Sequence, residues 1–403
     1  MVVSISPDDE LPFPADFLAR LREIIPPQYL AQCLASFSSR SWLSFRVNTL
    51  KVTPQELEQE LHALGIPFRH VAWLREAYLA GSEKREVLVN SAAFLTGRLY
   101  IQDLSSMLAV HLLDPQEGDE ILDLAAAPGG KTSHMAARMN NRGRIAAVEV
   151  IPQRLYKLVA NLKRLGVTIV QTYLTDGRNV GRKTPNRFDR VLLDAPCSSE
   201  ARFDPHDPAS WSHWSLRKIS ECARKQKGLL FSALEAVRPG GVVLYCTCSF
   251  APEENEGVID HVLQRWGDNV SVEPIELALP NVVPGLTVWQ GREFDSSLRF
   301  ARRILPTDEM QGFFLCRLRK NDEAPRSYPS GKSRVGKSRK RRPQRLDPRD
   351  CPKVSEGHVY RARLEGHACR ARRMAMDCQT YFADPTSRSL REAKSEGHAC
   401  HAR

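Results

Sequence analysis

Apolar positions along this 403-residue chain follow two kinds of spacing. Up to residue 40, Phe17, Leu18, Leu21, Ile24 and Ile25 recur at helical intervals. Leu43-Ser-Phe-Arg-Val-Asn48 then alternates as a strand does when one face is buried. Thr53-Pro54-Gln55-Glu56 joins a capping box to a proline at the first helical position, which predicts a helix to about Leu64 with Gly65 as its stop. Phe68–Trp73 reads as another strand. Together these elements predict a small α+β module ahead of residue 100.

From Asp119 onward the pattern changes. Glu120–Leu124, Arg144–Glu149, Arg190–Asp194 and Val242–Cys246 are short apolar runs, each ending in turn residues, and helical stretches such as Gln153–Leu165 and Ser215–Val237 lie between them. This alternation predicts an α/β fold with a doubly wound, mainly parallel sheet. Such sheets bind ligands beyond the carboxyl ends of their strands, so chemistry is expected just after each apolar run.

Composition narrows the class. With 42% hydrophobic and 26% charged residues the chain is globular. No run approaches the roughly 18 apolar residues of a membrane span. Met1–Glu10 carries an acidic cluster in place of a basic, apolar leader, so neither a membrane protein nor a secreted disulfide scaffold is expected. The ten cysteines include no Cys-x-x-Cys pair, so no metal site is expected, and they read as reduced thiols of a cytoplasmic protein.

Charge divides the chain. Lys and Arg number 58 against 47 Asp and Glu, but residues 321–403 hold 20 against 10, leaving 38 against 37 for residues 1–320. The body is nearly neutral, and affinity for nucleic acid through bulk charge belongs to the tail. Gly331–Arg345 contains eight Lys or Arg, and a nine-residue unit recurs at Ser355–Arg363, Leu364–Arg372 and Ser395–Arg403. The repeats place His367, Cys369, His398 and Cys400 alike, but a disordered basic appendage fits this composition better than a metal- or RNA-binding element. The predicted division is therefore residues 1–100, 101–320 and 321–403.

Asp123-Leu-Ala-Ala-Ala-Pro-Gly-Gly-Lys-Thr132 carries the first chemistry, a strand end passing through a glycine turn into a helix. Gly129 and Gly130 let backbone approach a ligand, and the helix start offers free N–H groups. A phosphate-binding P-loop needs glycine at position 125, where Ala125 stands, and Pro128 stiffens the loop. A dinucleotide Gly-x-Gly-x-x-Gly is also missing. What remains is a nucleoside cofactor without a cradled pyrophosphate, which describes S-adenosylmethionine. Glu149 ends the next apolar run 19 residues after Gly130, where a carboxylate takes ribose hydroxyls, and Asp176 holds the equivalent place after the third strand. A lone acid at a strand end is usually a solvated cap. Glu149, Asp176 and Asp194 at successive strand ends point instead to cofactor contact.

Asp194-Ala-Pro-Cys-Ser198 and Tyr245-Cys-Thr-Cys-Ser249 both follow buried strands and should reach the same sheet edge. Two thiols beside a methyl donor suggest chemistry on a pyrimidine. Cytosine C5 becomes nucleophilic only after a thiolate adds to C6, and a second cysteine can assist release. Asp194 is placed to hydrogen-bond at N3. The plainer reading makes Cys197 and Cys248 buried core residues, as Cys33, Cys222 and Cys316 are expected to be. Cys246 is expected to end its strand and leave only Cys248 turned toward the pocket. Trp211, His213 and Trp214 are equally suited to stacking on RNA and to anchoring a loop.

The glycine loop, Asp-Ala-Pro-Cys-Ser and Thr-Cys-Ser-Phe resemble the Nol/Nop/Sun family of RNA 5-methylcytosine methyltransferases. The resemblance covers roughly residues 40–320 and includes Arg46–Lys51, Gln102–Ser106 and the closing Arg303–Pro306 and Gly312–Phe314. It implies a Rossmann-like class I methyltransferase fold behind an N-terminal RNA-recognition-like module. It also implies Cys248 as nucleophile and Cys197 as promoter of product release. Ala125, Ala126, Ala127, Pro128, Gly129, Gly130, Lys131, Glu149, Asp176 and Asp194 would line the S-adenosylmethionine pocket, with Lys131 and Asp194 also holding the cytosine. Ala125 stands where many members carry cysteine. The expected partner is ribosomal or transfer RNA, with neither a membrane nor a protein partner. Two rivals are a DNA cytosine methyltransferase using Cys197 as nucleophile and a non-catalytic RNA-binding assembly factor.

Overall fold

The computed structural model describes residues 11–38 and 40–321; the first ten residues, and the basic tail with its Lys/Arg run and three repeats, lie outside the described residues. Helices α1 (Ala15–Ile24) and α2 (Pro27–Ser38) come first and bury Phe17, Leu18, Leu21, Cys33 and Phe37. Strand β1 (Trp42–Val47) follows, then α3 (Pro54–Ala63). The capping box of α3 forms: Glu56 N donates to Thr53 Oγ1 at 3.3 Å and Thr53 N donates to Glu56 Oε2 at 2.9 Å. Gly65 leaves that helix with φ of +63°. Strands β2 (Phe68–Val71) and β3 (Leu74–Gly81), helices α4 (Arg85–Asn90) and α5 (Ala92–Leu95) and strand β4 (Leu99–Ile101) complete an antiparallel sheet of order β2-β3-β1-β4.

Helix α6 (Leu104–Leu113) starts at Asp103, whose carboxylate accepts from Ser105 N at 2.9 Å, and buries Leu104, Met107, Leu108, Val110 and Leu113. A large side chain removed from water at such a site contributes roughly 1.5–3 kcal/mol, and here most faces of the helix contribute. The main sheet then begins with β5 (Glu120–Asp123), α7 (Gly130–Arg138), β6 (Arg144–Glu149), α8 (Pro152–Arg164), β7 (Val170–Leu174), α9 (Val180–Lys183), β8 (Phe188–Asp194), α10 (Leu216–Ala236), β9 (Val237–Thr247) and α11 (Glu256–Trp266). Strands β7, β6, β5, β8 and β9 lie side by side in that order, all parallel. Alternate residues feed opposite faces: Leu122, Val191, Val243 and Tyr245 enter one core, and Ile121, Leu192, Leu244 and Cys246 enter the other.

The closing strands are β10 (Val270–Glu273), β11 (Val282–Pro284), the short hairpin β12 (Val288–Trp289) and β13 (Arg292–Glu293), β14 (Arg302–Ile304) and β15 (Phe313–Lys320). β15 runs antiparallel to β9, and β10, β14 and β11 extend the sheet on that side. The fold is thus the expected α/β sheet with its parallel half intact. Edge strand β7, whose residues are largely exposed, offers no apolar run to read, and the antiparallel closing half does not follow the strand–helix alternation.

The two sheets are joined by a polar seam. Arg46 of β1 is fully buried and donates to Gln102 Oε1 at 3.0 Å and to Ser133 Oγ of α7 at 2.8 Å. Asn48 Nδ2 donates to the carbonyls of Gly97 and Leu165 at 2.7 and 2.8 Å, and Lys51 Nζ to those of Thr96 and Arg164 at 2.8 and 2.7 Å. No described helix is long and apolar enough to cross a membrane.

Candidate active site

The carboxyl edge of the parallel strands gathers the residues that the sequence singles out. After β5 the chain passes Ala125, Ala126, a cis Ala127–Pro128 bond and Gly129, whose φ is +104°. A Cβ on Gly129 would stand 2.8 Å from Leu158 Cδ1, and its positive φ demands glycine; one on Gly130 would stand 3.1 Å from the Tyr100 ring, a tight approach that the ring would have to yield to. Asp123, below the loop, accepts from Thr132 Oγ1 at 2.8 Å, and burial pushes its carboxyl up to about 7. Its second oxygen has no partner among the described residues.

Glu149 closes β6 and is buried. Its Oε1 accepts from the backbone N–H groups of Val150 and Ile151, both at 2.9 Å, while Oε2 receives no hydrogen bond and has the Arg154 guanidinium at 3.5 Å. Val150 and Ile151 beside it are exposed apolar side chains. Asp176 caps the short turn after β7 and is held by the Arg178 side chain at 2.5 and 3.0 Å, which keeps its carboxyl low. A glycine-lined loop, orphaned buried oxygens on Asp123 and Glu149 and an exposed apolar rim fit a nucleoside cofactor. Glu149 and Asp176 make no direct contact with each other or with the lysine and thiol pairs among the described residues.

Next to the loop, Lys131 Nζ donates to Asp194 Oδ2 at 2.7 Å and to Ser106 Oγ at 3.1 Å. Burial, the largest single influence, lowers the Lys131 ammonium; the charges of Asp194 and Cys246 and the Asp194 hydrogen bond together hold the group above its ordinary value. Cys246 changes the expected picture. β9 continues to Thr247, and Cys246 pairs in register with Asp194, so its thiol lies 3.7 Å from Asp194 Oδ1 and also faces this cluster.

Cys197 and Cys248, on the loops after β8 and β9, meet with sulfurs 3.2 Å apart. Cys248 is held below its ordinary thiol value, first by the hydrogen bond from Cys197, against burial, and then by the charge of Arg202. Cys197 is pushed up by the same hydrogen bond, by burial and by the charges of Cys248 and Glu254. Within the pair these influences favour the thiolate on Cys248 and the neutral thiol on Cys197.

Two buried carboxylates fix these loops from behind. Glu254 accepts from Ser198 N at 3.0 Å, Gln226 Nε2 at 2.9 Å and Ser249 Oγ at 2.9 Å, and also from Ser198 Oγ. Glu200 accepts from Phe250 N at 2.7 Å, Ala251 N at 3.0 Å and Trp214 Nε1 at 2.7 Å, and its Oε2 lies 3.0 Å from Ser249 Oγ, whose one proton it shares with Glu254. Trp214 is therefore a loop anchor, and Trp211 packs edge-on against Phe13 with centroids 6.2 Å apart. Of the three, His213 alone is exposed. Glu200, Arg202 and Glu254 are functional neighbours that sequence reasoning passed over. Each lies three to six residues past a cysteine, where an acid or base reads as ordinary surface charge.

Comparison with known proteins places this geometry. A family model described as 16S rRNA methyltransferase RsmB/F matches residues 110–319, just over half of the chain. The chain belongs to the RsmB/F family. Residues 13–104 also match the N-terminal domain of 16S rRNA methyltransferase RsmF. Among curated RsmB/F relatives, the ribosomal RNA small subunit methyltransferase F of Aeromonas salmonicida is 36% identical over 79% of this chain and 66% of its own length. The human 28S rRNA (cytosine(4447)-C(5))-methyltransferase is 38% identical over 88% of this chain and 43% of its own length. The chain thus spans under two-thirds of the length of either relative. A methyltransferase homologue from Pyrococcus horikoshii is 33% identical, with a TM-score of 0.62 over 76% of this chain and all of that one. NSun6 from the same organism, solved with SFG, is 23% identical with a TM-score of 0.65 over 77% of this chain and 99% of its own, and shares the fold.

Proposed function

We propose that this chain transfers a methyl group from S-adenosylmethionine to C5 of a cytosine in ribosomal RNA. The observation that carries the reading is the thiol pair, 3.2 Å apart at the ends of adjacent strands, beside the Lys131–Asp194 pair. The RNA class is supported by the names of the relatives. In the same reading residues 1–100 form an RNA-recognition-like module, residues 101–320 the catalytic domain and residues 321–403 a basic tail. The described cysteines are all free, which suits a cytoplasmic setting.

S-Adenosylmethionine, when bound, supplies an electrophilic methyl group. The backbone of Ala125–Gly130 and the side chains of Lys131, Glu149, Asp176 and Asp194 would hold it. Cys248, as thiolate, adds to C6 of cytosine; the new S–C6 bond pushes the C5–C6 π electrons toward C5. N3 takes a proton from water as the adduct forms and returns it on release; the Asp194 carboxylate, fixed by Lys131, accepts a hydrogen bond from that N3–H and steadies the adduct. After C5 gains the methyl group, a base takes the C5 proton, the C5–C6 double bond re-forms and Cys248 leaves as thiolate. The Cys197 S–H donates to that departing sulfur. The direct test is incubation with labelled S-adenosylmethionine and ribosomal RNA followed by nucleoside analysis. Label in 5-methylcytosine is expected, and its absence from every ribosomal RNA would overturn the proposal.

Glu149→Ala should weaken S-adenosylmethionine binding by about 10- to 100-fold in calorimetry, since a buried carboxylate with an open oxygen is removed. Unchanged affinity would remove Glu149 from the pocket. The acid limb of kcat/KM should rise with pH as Cys248 ionises, and it should lie below the ordinary thiol range. Arg202→Gln withdraws a charge that favours the thiolate, so the limb should move to higher pH; a stationary limb would show that Arg202 does not act on Cys248.

A further inference from the structure

Residues 1–320 are nearly neutral, so an RNA strand must find its cations in particular places. We propose that a cavity between the N-terminal halves of α10 and α11 and the β12–β13 hairpin binds a backbone phosphate of the RNA carrying the target cytosine, through Arg224 and Lys227. The cavity holds about 350 Å³. This inference rests on the methyltransferase reading above and adds a substrate-binding site to it.

Position comes first. α10 leads into β9 and α11 leaves it, so both helices begin at the carboxyl edge, where Cys197 and Cys248 stand. Glu253 lines the cavity, and the next residue, Glu254, accepts from Ser198 N beside Cys197. The cavity and the thiols thus share the carboxyl edge of the sheet.

Charge is the second argument. Ser220, Ala223, Arg224 and Lys227 follow helical spacing and present one face of α10 to the cavity. The bordering carboxylates are already taken: Glu253 by Arg20 at 2.6 Å, and Asp260 by Arg292 at 2.7 Å. Among the described residues, Arg224 and Lys227 have neither an ion pair nor a hydrogen bond. Lys227 is half-buried, and burial together with Arg292 and Arg265 depresses its ammonium, the situation that an arriving anion relieves. Trp289 and Phe294 form an apolar wall, with the Arg292 guanidinium 5.2 Å from the Phe294 centroid. Cations beside aromatic surface suit a sugar–phosphate backbone.

The test uses the full chain, a fluorescein-labelled single-stranded RNA of about twenty nucleotides for anisotropy, and ribosomal RNA for methylation. Arg224→Gln/Lys227→Gln should raise the dissociation constant and the Michaelis constant for RNA by about tenfold or more. It should also flatten the slope of log Kd against log salt by about 0.7 for each phosphate that is no longer neutralised, with S-adenosylmethionine affinity unchanged. Arg182→Gln/Lys183→Gln, an equal loss of charge at the amino edge, should alter none of these. If wild type methylates RNA and both double variants match it in Michaelis constant and salt slope, the phosphate site is wrong and the enzyme reading stands. Equal weakening by both pairs would reduce the effect to bulk charge and also overturn the site. If wild type methylates nothing yet loses its salt slope only in the Arg224/Lys227 variant, the site stands and the enzyme reading falls.

Discussion

Protein carrying Cys197→Ser, incubated with S-adenosylmethionine and total ribosomal RNA, is expected to remain attached to RNA through denaturation. Cys248 can still add to C6, but the departing sulfur loses the S–H donor that stands 3.2 Å away in the native pair. Cys197→Ser/Cys248→Ser should give no adduct, and Cys248→Ser alone should lower turnover by about four orders of magnitude or more, as removal of a covalent nucleophile does. Sequencing the trapped RNA would then name the modified position. An adduct that survives loss of Cys248 but not of Cys197 would exchange the two roles and favour the DNA-type mechanism. No adduct from any variant, with no methylated product, would favour a binding factor.

The second large effect concerns Glu254. Burial, and then the charge of Glu200, raise its carboxyl to about 7 from 4.5. The folded state therefore holds a proton that the unfolded chain has lost between those values, and stability must fall as pH rises through that window. At about 1.4 kcal/mol per unit the loss is roughly 3 kcal/mol. Glu254→Gln removes it. Its amide oxygen can accept from Ser198 N and Gln226, while the Ser198 and Ser249 hydroxyls can turn to accept from its NH2. Urea unfolding at pH 5 and pH 8 should show Glu254→Gln gaining on wild type toward the higher pH. Glu254→Ala, which strands Ser198 N and leaves Gln226, Ser198 Oγ and Ser249 Oγ to their remaining partners, should lose about 3 kcal/mol at either pH. A Gln variant as damaged as the Ala variant would mean that the native group is a plain carboxylate.

The parallel half of the sheet could be read from the sequence because its strands are continuous apolar runs followed by turn chemistry. Lys131, Asp194, Cys197 and Cys248 could be read because strand-end residues in such a sheet have one edge to share. Cys246 could not. Alternation with Leu244 fixes its face, but only the register of β9 against β8, which sets Cys246 opposite Asp194, brings its thiol to the cluster. Glu200 and Glu254 were hidden for a different reason. Acidic residues near a turn ordinarily face water, and only the tertiary arrangement reveals a Ser249 hydroxyl in contact with both.

Arg46, Asn48 and Lys51 have a consequence for how this molecule meets a large substrate. Side chains from β1 and the turn after it that end on the Ser133 hydroxyl of α7 and on the carbonyls closing α8 tie the small sheet to the helices that flank the glycine loop, as one frame. Such a frame acts as a gauge. On the methyltransferase reading proposed above, it would select a base by its distance from whatever the N-terminal surface held, and RNAs unlike in sequence but alike in that spacing would be equivalent to it. The buried Arg46, bonded to Gln102 and Ser133, would then bear on target choice as well as on folding.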